Sequence, residues 1–388
     1  MTHVMHTYNR LPVEFASGSG SYLVDTHGKR YLDALTGIAV CGLGHAHPKV
    51  AEAIKQQAST LIHTSNLYEI PLQSRLAHRL CAISEMDKVF FCNSGAEANE
   101  AAIKIARLYG NNQGIKSPTV IVADNSFHGR TMATLSATVN RNVRAGFEPL
   151  VNGFVSAPFN DIEAIEKIAA NNSDIVAILV EPILGEGGII IPDQNYLPKL
   201  REICDHNSWL LMLDEVQTGN GRTGSYFAYQ QNSILPDVVT TAKGLGNGLP
   251  IGACLARSIA SDILTPGKHG STFGGNPLVC AAANAVIDTL AEDGLLDRAA
   301  QLGNRIVSEL SASLAGHNRV REIRGKGLMI AIEMDGPCSE LVNVGIQEGI
   351  LINVARDNVI RLLPPLTLSD DDTAELITRL KRVISLFE

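Results

Sequence analysis

The 388-residue chain predicts an α/β protein in which a large lobe, built on a mostly parallel sheet, is followed by a smaller α/β lobe. Three observations carry this expectation. Short apolar runs near residues 90, 120, 178, 212 and 240 have strand length and alternate with longer helical patterns. Most of these runs stop at charged or glycine-rich segments, where an open parallel sheet gathers its ligand-binding groups. Hydrophobic residues make up 45% of the chain, enough for a substantial core.

Taken in order, Tyr8 to Asp33 reads as a leading arm, with S-Y-L-V-D and R-Y-L-D forming a small sheet joined at Thr26-His27-Gly28. We expect residues 1–47 to join the small lobe, 48–292 to form the large domain and 293–388 the small C-terminal domain. His45 and His47 suggest a zinc pair, but no third ligand stands at a suitable spacing, so a loop before a helix starting near Pro48 is the better reading and no metal is expected. Lys88 to Cys92 is a strand pattern leading into Asn93-Ser94-Gly95-Ala96-Glu97. Ser94 with Glu97 forms a capping box, Gly95 allows close approach to the backbone, and the helix N-terminus suits a phosphate. An ordinary capped helix explains the same pattern.

Thr119 to Ala123 ends near Phe127 and Arg130; the aromatic ring suits stacking on a flat ligand, the guanidinium a carboxylate. Ile175 to Val180 leads to Glu181, Gly185 and Glu186 on the same rim. The centre of the chain is Trp209 to Gly248. Leu210 to Leu213 stops at Asp214 and Glu215, and Val238 to Thr241 stops just before Lys243, so a carboxylate and an amine meet at one rim. That pair has a use: a lysine forms a Schiff base with an aldehyde cofactor, and pyridoxal phosphate also needs a carboxylate at its ring nitrogen and a cradle for its phosphate. Each residue alone reads as well as a solvated lysine or a turn acid. Gly219, Gly221 and Gly224 match a dinucleotide fingerprint, yet Asp214, Glu215 and Gln217 separate them from the strand, so a loop is expected.

Ile251 to Ala256 adds a strand, and Ser271 to Pro277 is a loop opening a long alanine-rich helix. Strands follow at Arg321 to Arg324, Leu328 to Met334 and Val359 to Leu363, the last carrying Arg361, and Ser369 with Asp372 caps the final helix. A net charge of −8 without a basic block disfavours nucleic acid and anionic membranes, leaving small molecules as partners. Seven scattered cysteines without C-x-x-C spacing point to a reducing compartment. Ile175 to Val180 is too short to span a bilayer and Met1 to Arg10 lacks a signal core, so a cytoplasmic protein is expected.

With N-S-G-A-E-A-N-E, F-H-G-R, V-E-P-I-x-G-E-G-G, D-E-V-Q-T-G-x-G-R-T-G, T-T-A-K-G-L-G-N-G and S-T-F-G-G-N-P in view, the chain from Tyr8 onward resembles class III (ornithine-type) pyridoxal-phosphate aminotransferases, most closely the acetylornithine aminotransferases. The resemblance implies fold type I and a homodimer with a shared active site. It implies that Lys243 is the Schiff-base lysine and proton shuttle and that Asp214 holds the ring nitrogen. Gln217 reaches the phenolic oxygen, Phe127 and Val216 sandwich the ring, Gly95 and Ala96 bind the phosphate, and Thr272 reaches that phosphate across the dimer. Glu215 is placed with the cofactor-binding residues. Tyr8, Arg130 and Ser271 fall at substrate-binding positions, and Glu186 with Arg361 resembles a switch pair that covers or frees an α-carboxylate site.

The implied reaction converts N2-acetylornithine and 2-oxoglutarate to N-acetylglutamate 5-semialdehyde and glutamate, in arginine biosynthesis. Ile38 stands where ornithine aminotransferases resemble one another in a tyrosine suited to a free amino group, which favours an acylated donor. Succinylornithine, succinyldiaminopimelate and other ω-amino donors stay open. An aminomutase of the same fold would not need both Arg130 and the Glu186/Arg361 pair.

Overall fold

The computed structural model describes residues 3–387. Met1, Thr2 and Glu388, at the outer ends of the expected arm and small lobe, lie outside the described residues. The leading arm forms an antiparallel meander of β1 (Phe15–Ser19), β2 (Tyr22–Asp25) and β3 (Arg30–Asp33). The turn between β2 and β3 falls at the expected Thr26-His27-Gly28. Asp25 Oδ1 accepts the amides of His27 and Lys29, both at 2.9 Å, and Gly28 takes a φ of +84°, a conformation open to glycine because it has no Cβ.

The central sheet has seven strands: β4 (Lys88–Cys92), β5 (Thr119–Ala123), β6 (Phe154–Ala157), β7 (Ile175–Val180), β8 (Leu210–Asp214), β9 (Val238–Thr241) and β10 (Gly252–Ala256), in the order β4-β10-β9-β8-β7-β5-β6. β10 is antiparallel to both its neighbours and every other pairing is parallel. β7 to β10 are buried along their whole length, which is why they read as unbroken apolar runs without alternation. β6 is the strand the sequence reading does not anticipate; it is a half-exposed edge strand, F-V-S-A, without a distinctive pattern.

The last segment adds β11 (Val320–Lys326), β12 (Met329–Met334), β13 (Ile350–Leu351), β14 (Asn353–Ala355) and β15 (Val359–Leu362). Four of these form an antiparallel sheet in the order β11-β12-β15-β14, while β13 pairs in parallel with β3 and so joins the arm to the chain's other end. The final helix, Asp370–Ser385, is capped as expected by Ser369 Oγ, which accepts the Asp372 amide at 3.0 Å. Three aspartates in its first turn favour the positive end of the helix dipole.

The glycine-rich loop after β8 wedges against this last segment. A Cβ on Gly224 would meet the Ala300 Cβ at 2.8 Å, and one on Gly221 would meet Leu296 at 2.9 Å. Between these glycines Arg222, 2% exposed, donates to the carbonyls of Leu328 and Pro364, and burial pushes its pKa down to about 9. The match to a dinucleotide fingerprint is therefore a packing requirement, and no helix opens there. His45, of the suspected histidine pair, is taken by Asp33 at 2.7 Å, and among the described residues no cluster of three or more ligating side chains is arranged to hold a metal. Among the same residues no helix is long and apolar enough to cross a membrane.

Candidate active site

Parallel pairing of β8 with β9 sets Asp214 opposite Thr240, and Lys243 follows three residues later, so the two groups meet at the carboxyl ends of adjacent strands. They line one cavity of about 430 Å³ with Gly95, Ala96, Phe127, Arg130, Glu186, Val216 and Gln217. This size is ordinary for a small-molecule site.

At one wall β4 runs into the helix Gly95–Asn112. Ser94 Oγ accepts the Glu97 amide at 3.2 Å and the helical ladder begins with the Ala98 amide, so the Gly95 and Ala96 amides at the cavity wall are left for an anion. The cap differs from the expected reciprocal box, because Glu97 Oε2 takes the Asn93 amide at 2.5 Å and not that of Ser94. Gly95 has a definite neighbour: a Cβ there would lie 2.7 Å from Val216 Cγ1. Across the cavity mouth, exposed Arg130 lies with its guanidinium carbon 5.7 Å from the centre of the Phe127 ring.

Asp214 is 3% exposed and held on three sides. Its Oδ2 accepts from Asn99 Nδ2 at 2.7 Å and from His128 Nδ1 at 2.8 Å, and its Oδ1 accepts the Val216 amide at 3.0 Å. Asn99 is itself oriented by Thr240, whose hydroxyl donates to Asn99 Oδ1 at 2.7 Å. Asn99 and His128 fall within quoted motifs but are given no role in the sequence reading. The signal available for Asn99 was its place one turn after Gly95, a polar residue on a face otherwise made of alanine and isoleucine.

Lys243 has a φ of +42°, rare for a residue with a side chain and a form of strain that collects at functional sites. Asn220 from the glycine-rich loop fixes the approach to it, donating to Thr241 Oγ1 at 2.9 Å and to the Ala242 carbonyl at 3.1 Å. Burial holds the Lys243 amine below the ordinary lysine value; Glu186, Asp214 and Glu181 pull it up, while Arg361 pushes it further down. Arg361 comes from β15. It is 1% exposed, donates to Asn353 Oδ1 through Nε and Nη2 at 3.2 and 2.8 Å, and reaches Glu186 Oε1 through Nη1 at 2.6 Å. Burial alone would raise the pKa of Glu186, but Arg361, helped by Lys243 and Gln217, brings it below the usual carboxylate range.

Glu215, expected at the cofactor, does not face the cavity. Side chains alternate as the strand ends, so with Asp214 turned inward Glu215 turns the other way. It is fully buried there, where Oε2 accepts from Thr218 Oγ1 at 2.5 Å and the Ala228 amide at 2.9 Å, and Oε1 accepts the Tyr229 amide at 2.9 Å. Tyr8 is 71% exposed on the arm and lies outside the cavity lining. Ser271 and Thr272 line a neighbouring cavity of about 510 Å³ that shares Asn93 with the first. Ile38, at a φ of +64°, packs against a buried cluster that includes Ile183 and Ile189, which flank Glu186 in the chain.

A statistical model of the family described as Aminotransferase class-III matches residues 4–384. The chain is 56% identical to an acetylornithine aminotransferase of Nitrosomonas europaea, over 100% of this chain and 98% of that protein. It is 45% identical to one of Aquifex aeolicus, over 99% of this chain and 100% of that protein. Among solved structures, the ornithine aminotransferase of Toxoplasma gondii superposes with a TM-score of 0.95 at 35% identity, covering 99% of this chain and 93% of that one. The acetylornithine aminotransferase of Elizabethkingia anophelis superposes with a TM-score of 0.90 at 36% identity, covering 99% and 97%. The cavity between β8, β9 and the Gly95 helix is thus found on the fold type I scaffold of enzymes that use pyridoxal phosphate, and the chain belongs to the class III aminotransferase family.

Proposed function

We propose that this aminotransferase moves the δ-amino group of N2-acetylornithine to 2-oxoglutarate, giving N-acetylglutamate 5-semialdehyde and glutamate in arginine biosynthesis. One observation carries the reading: the amine of Lys243 and the buried carboxylate of Asp214 share a cavity whose edge holds the Glu186–Arg361 pair. The relatives named acetylornithine aminotransferase, at 45% to 56% identity over nearly the whole chain, support the choice of donor.

The residues present suit pyridoxal phosphate. Free amides at Gly95 and Ala96 suit its phosphate, and Gln217 Oε1, buried without a partner among the described residues, suits a polar edge of its ring. Asp214, braced by Asn99 and His128, suits the ring nitrogen, and Phe127 and Val216 suit its faces. When bound, the cofactor supplies an aldehyde for an amine and a ring that accepts electrons from a carbanion. Lys243, held toward its neutral form by burial, is the base that carries a proton to and from the substrate carbon. Asp214 would hold the ring nitrogen, and its carboxylate would favour a proton there. Arg361, with Asn353 fixing the plane of its guanidinium, binds an α-carboxylate bidentately when Glu186 swings aside. With an acylated ornithine bound, Glu186 stays on Arg361 and the chain lies the other way round, its α-carboxylate near Arg130.

We also propose a homodimer with a shared site. Phe273, which follows Thr272, is 61% exposed, and Leu67 and Tyr68, which follow Asn66 where it donates to the Ser271 carbonyl, are 86% and 70% exposed; a second copy of the chain would cover these residues and bring Thr272 to the partner's phosphate. Tyr8, on the exposed arm, would then complete a substrate site. The division into 1–47, 48–292 and 293–388 is supported by the pairing of β13 with β3. The seven free cysteines support a cytoplasmic setting.

The test is a panel of half-reactions, followed by cofactor absorbance, with acetylornithine, succinylornithine, succinyldiaminopimelate, ornithine, 4-aminobutyrate and glutamate. Acetylornithine should give the highest kcat/KM of the ω-amino donors. Preference for another donor would overturn the substrate assignment, and isomerisation without 2-oxoglutarate would overturn the transfer itself.

A further inference from the structure

We infer that Glu181 is a positioning residue that ties two walls of the cavity to one carboxylate and thereby sets the reach of Glu186 to Arg361. Its Oε1 accepts the Phe127 amide and its Oε2 the Gly185 amide, each at 2.9 Å. Phe127 is the aromatic wall, and Gly185 immediately precedes Glu186. The loop beyond Val180 is a closed turn, in which the Leu184 and Ile190 backbones bond to each other at 3.1 and 3.2 Å and the Gly188 amide donates to Gly185 at 3.2 Å. Glu186 sits at the tip of that turn. Gly185 is pressed so closely on Gln217 that a Cβ would lie 2.6 Å from its Oε1. Moving the Gly185 anchor therefore moves the tip as a unit.

A neutral side chain does not do the same work. Glu181 is 5% exposed and lines the cavity, where burial and the nearby Asp214 charge push its pKa up to about 7. A carboxylate in that setting is costly. What it offers is an acceptor at each of two oxygens, whereas a glutamine places one NH2 group against one of the two amides and must release that wall. Protonation has a similar effect. The titratable and charged groups facing it are Asp214 from β8, His128 beyond β5, Lys243 beyond β9, and Glu186 and Arg361 at the cavity edge. The effect on donor choice rests on reading Glu186 and Arg361 as a switch pair.

Two measurements on the full-length protein separate the possibilities. The first is hydrogen exchange of the peptides holding Phe127 and Gly185, with and without bound cofactor. In Glu181→Gln one or both should exchange about tenfold faster, the equivalent of one lost charge-assisted hydrogen bond, while peptides from β11 and β12 stay unchanged. The second is the ratio of kcat/KM for glutamate to that for acetylornithine, which should move in the same direction as in Glu186→Gln.

Unchanged exchange at both walls would overturn the proposal, as would an equal loss of both donors together with a general drop in Tm. If Glu186→Gln leaves the donor ratio unchanged, the switch reading fails, and the exchange data alone decide on Glu181. If Glu181→Gln does not fold, Glu181→Asp, charged but one methylene shorter, replaces it. In the unaltered protein at least one of the two peptides should also lose protection between pH 9 and pH 6, after correction for intrinsic rates, and unchanged protection of both across that window refutes the anchor.

Discussion

Glu186→Gln tests the assignment of donor orientation most directly. Arg361 is 1% exposed and its carboxylate partner among the described residues is Glu186, at 2.6 Å, while Glu186 itself is 38% exposed and lies on the cavity side. The substitution keeps the shape and removes the charge, so the guanidinium becomes open to any carboxylate that enters. A hydrogen bond to a charged group is worth roughly 1.5 to 3 kcal/mol. Partial exposure of Glu186 argues for the low end, about 1.5 kcal/mol, which is roughly a tenfold change in occupancy. Acetylornithine carries an α-carboxylate that Arg361 would then capture, presenting the wrong end of the molecule to Lys243. Its half-reaction should therefore lose about tenfold in kcat/KM, while the glutamate half-reaction holds or improves. Arg361→Ala should show the opposite bias, losing glutamate and 2-oxoglutarate most. Single-turnover absorbance with each donor measures both. Equal slowing of the two half-reactions in both variants would show that the pair only holds the lobes together.

Three further outcomes follow from other parts of the structure. Because burial lowers the Lys243 pKa from its ordinary 10.5, covalent incorporation of cofactor into the apo protein should rise with pH and level off below that value; Glu186→Gln, which removes a charge that favours the ammonium, should move the inflection lower still, and an inflection at or above 10.5 refutes the burial argument. Gly95→Ala should weaken cofactor affinity by about tenfold or more, because the new Cβ would stand 2.7 Å from Val216 Cγ1, and adding Val216→Ala should restore part of the loss in a fluorescence titration. His45, whose hydrogen bond to Asp33 raises its pKa from 6.5 to about 9, contributes stability that is complete below pH 6.5 and lost as pH rises through 9, so Tm should fall across that window and His45→Gln should flatten the fall.

The parts of the fold that were legible in the sequence are those where one local signal suffices. β7, β8 and β9 are buried on both faces, so their apolar runs admitted few alternatives, and the functional loops had to leave at their carboxyl ends. Ser94 and Ser369 each cap the helix that follows them. β6, β13 and β14 carry no such signal. They are two to four residues long and exist because a neighbour offers a free edge, a fact of tertiary structure that composition does not record.

The direction of a side chain was harder to read than its place in the chain, and the acids show why. Asp214, Glu215 and Glu181 all stand at or just beyond the ends of central strands, and all read alike as rim carboxylates. Asp214 faces the cavity, braced by Asn99 and His128 from two other segments; Glu215, one residue on, turns away and ties down the Ala228 and Tyr229 amides; Glu181 reaches sideways to Phe127 and Gly185. Each is a buried carboxylate that accepts from at least one donor far away in sequence. A strand end therefore tells which residues can reach a site, but the set of amides and side chains waiting there decides which of them does. By that logic Asn99→Ala is the more telling change around Asp214: it removes a 2.7 Å donor from a carboxylate that is 3% exposed while leaving the charge itself in place. If the bracing matters as argued, proton abstraction slows with cofactor still bound, and Asn99→Asp, which sets a second carboxylate against the first, should be worse than alanine.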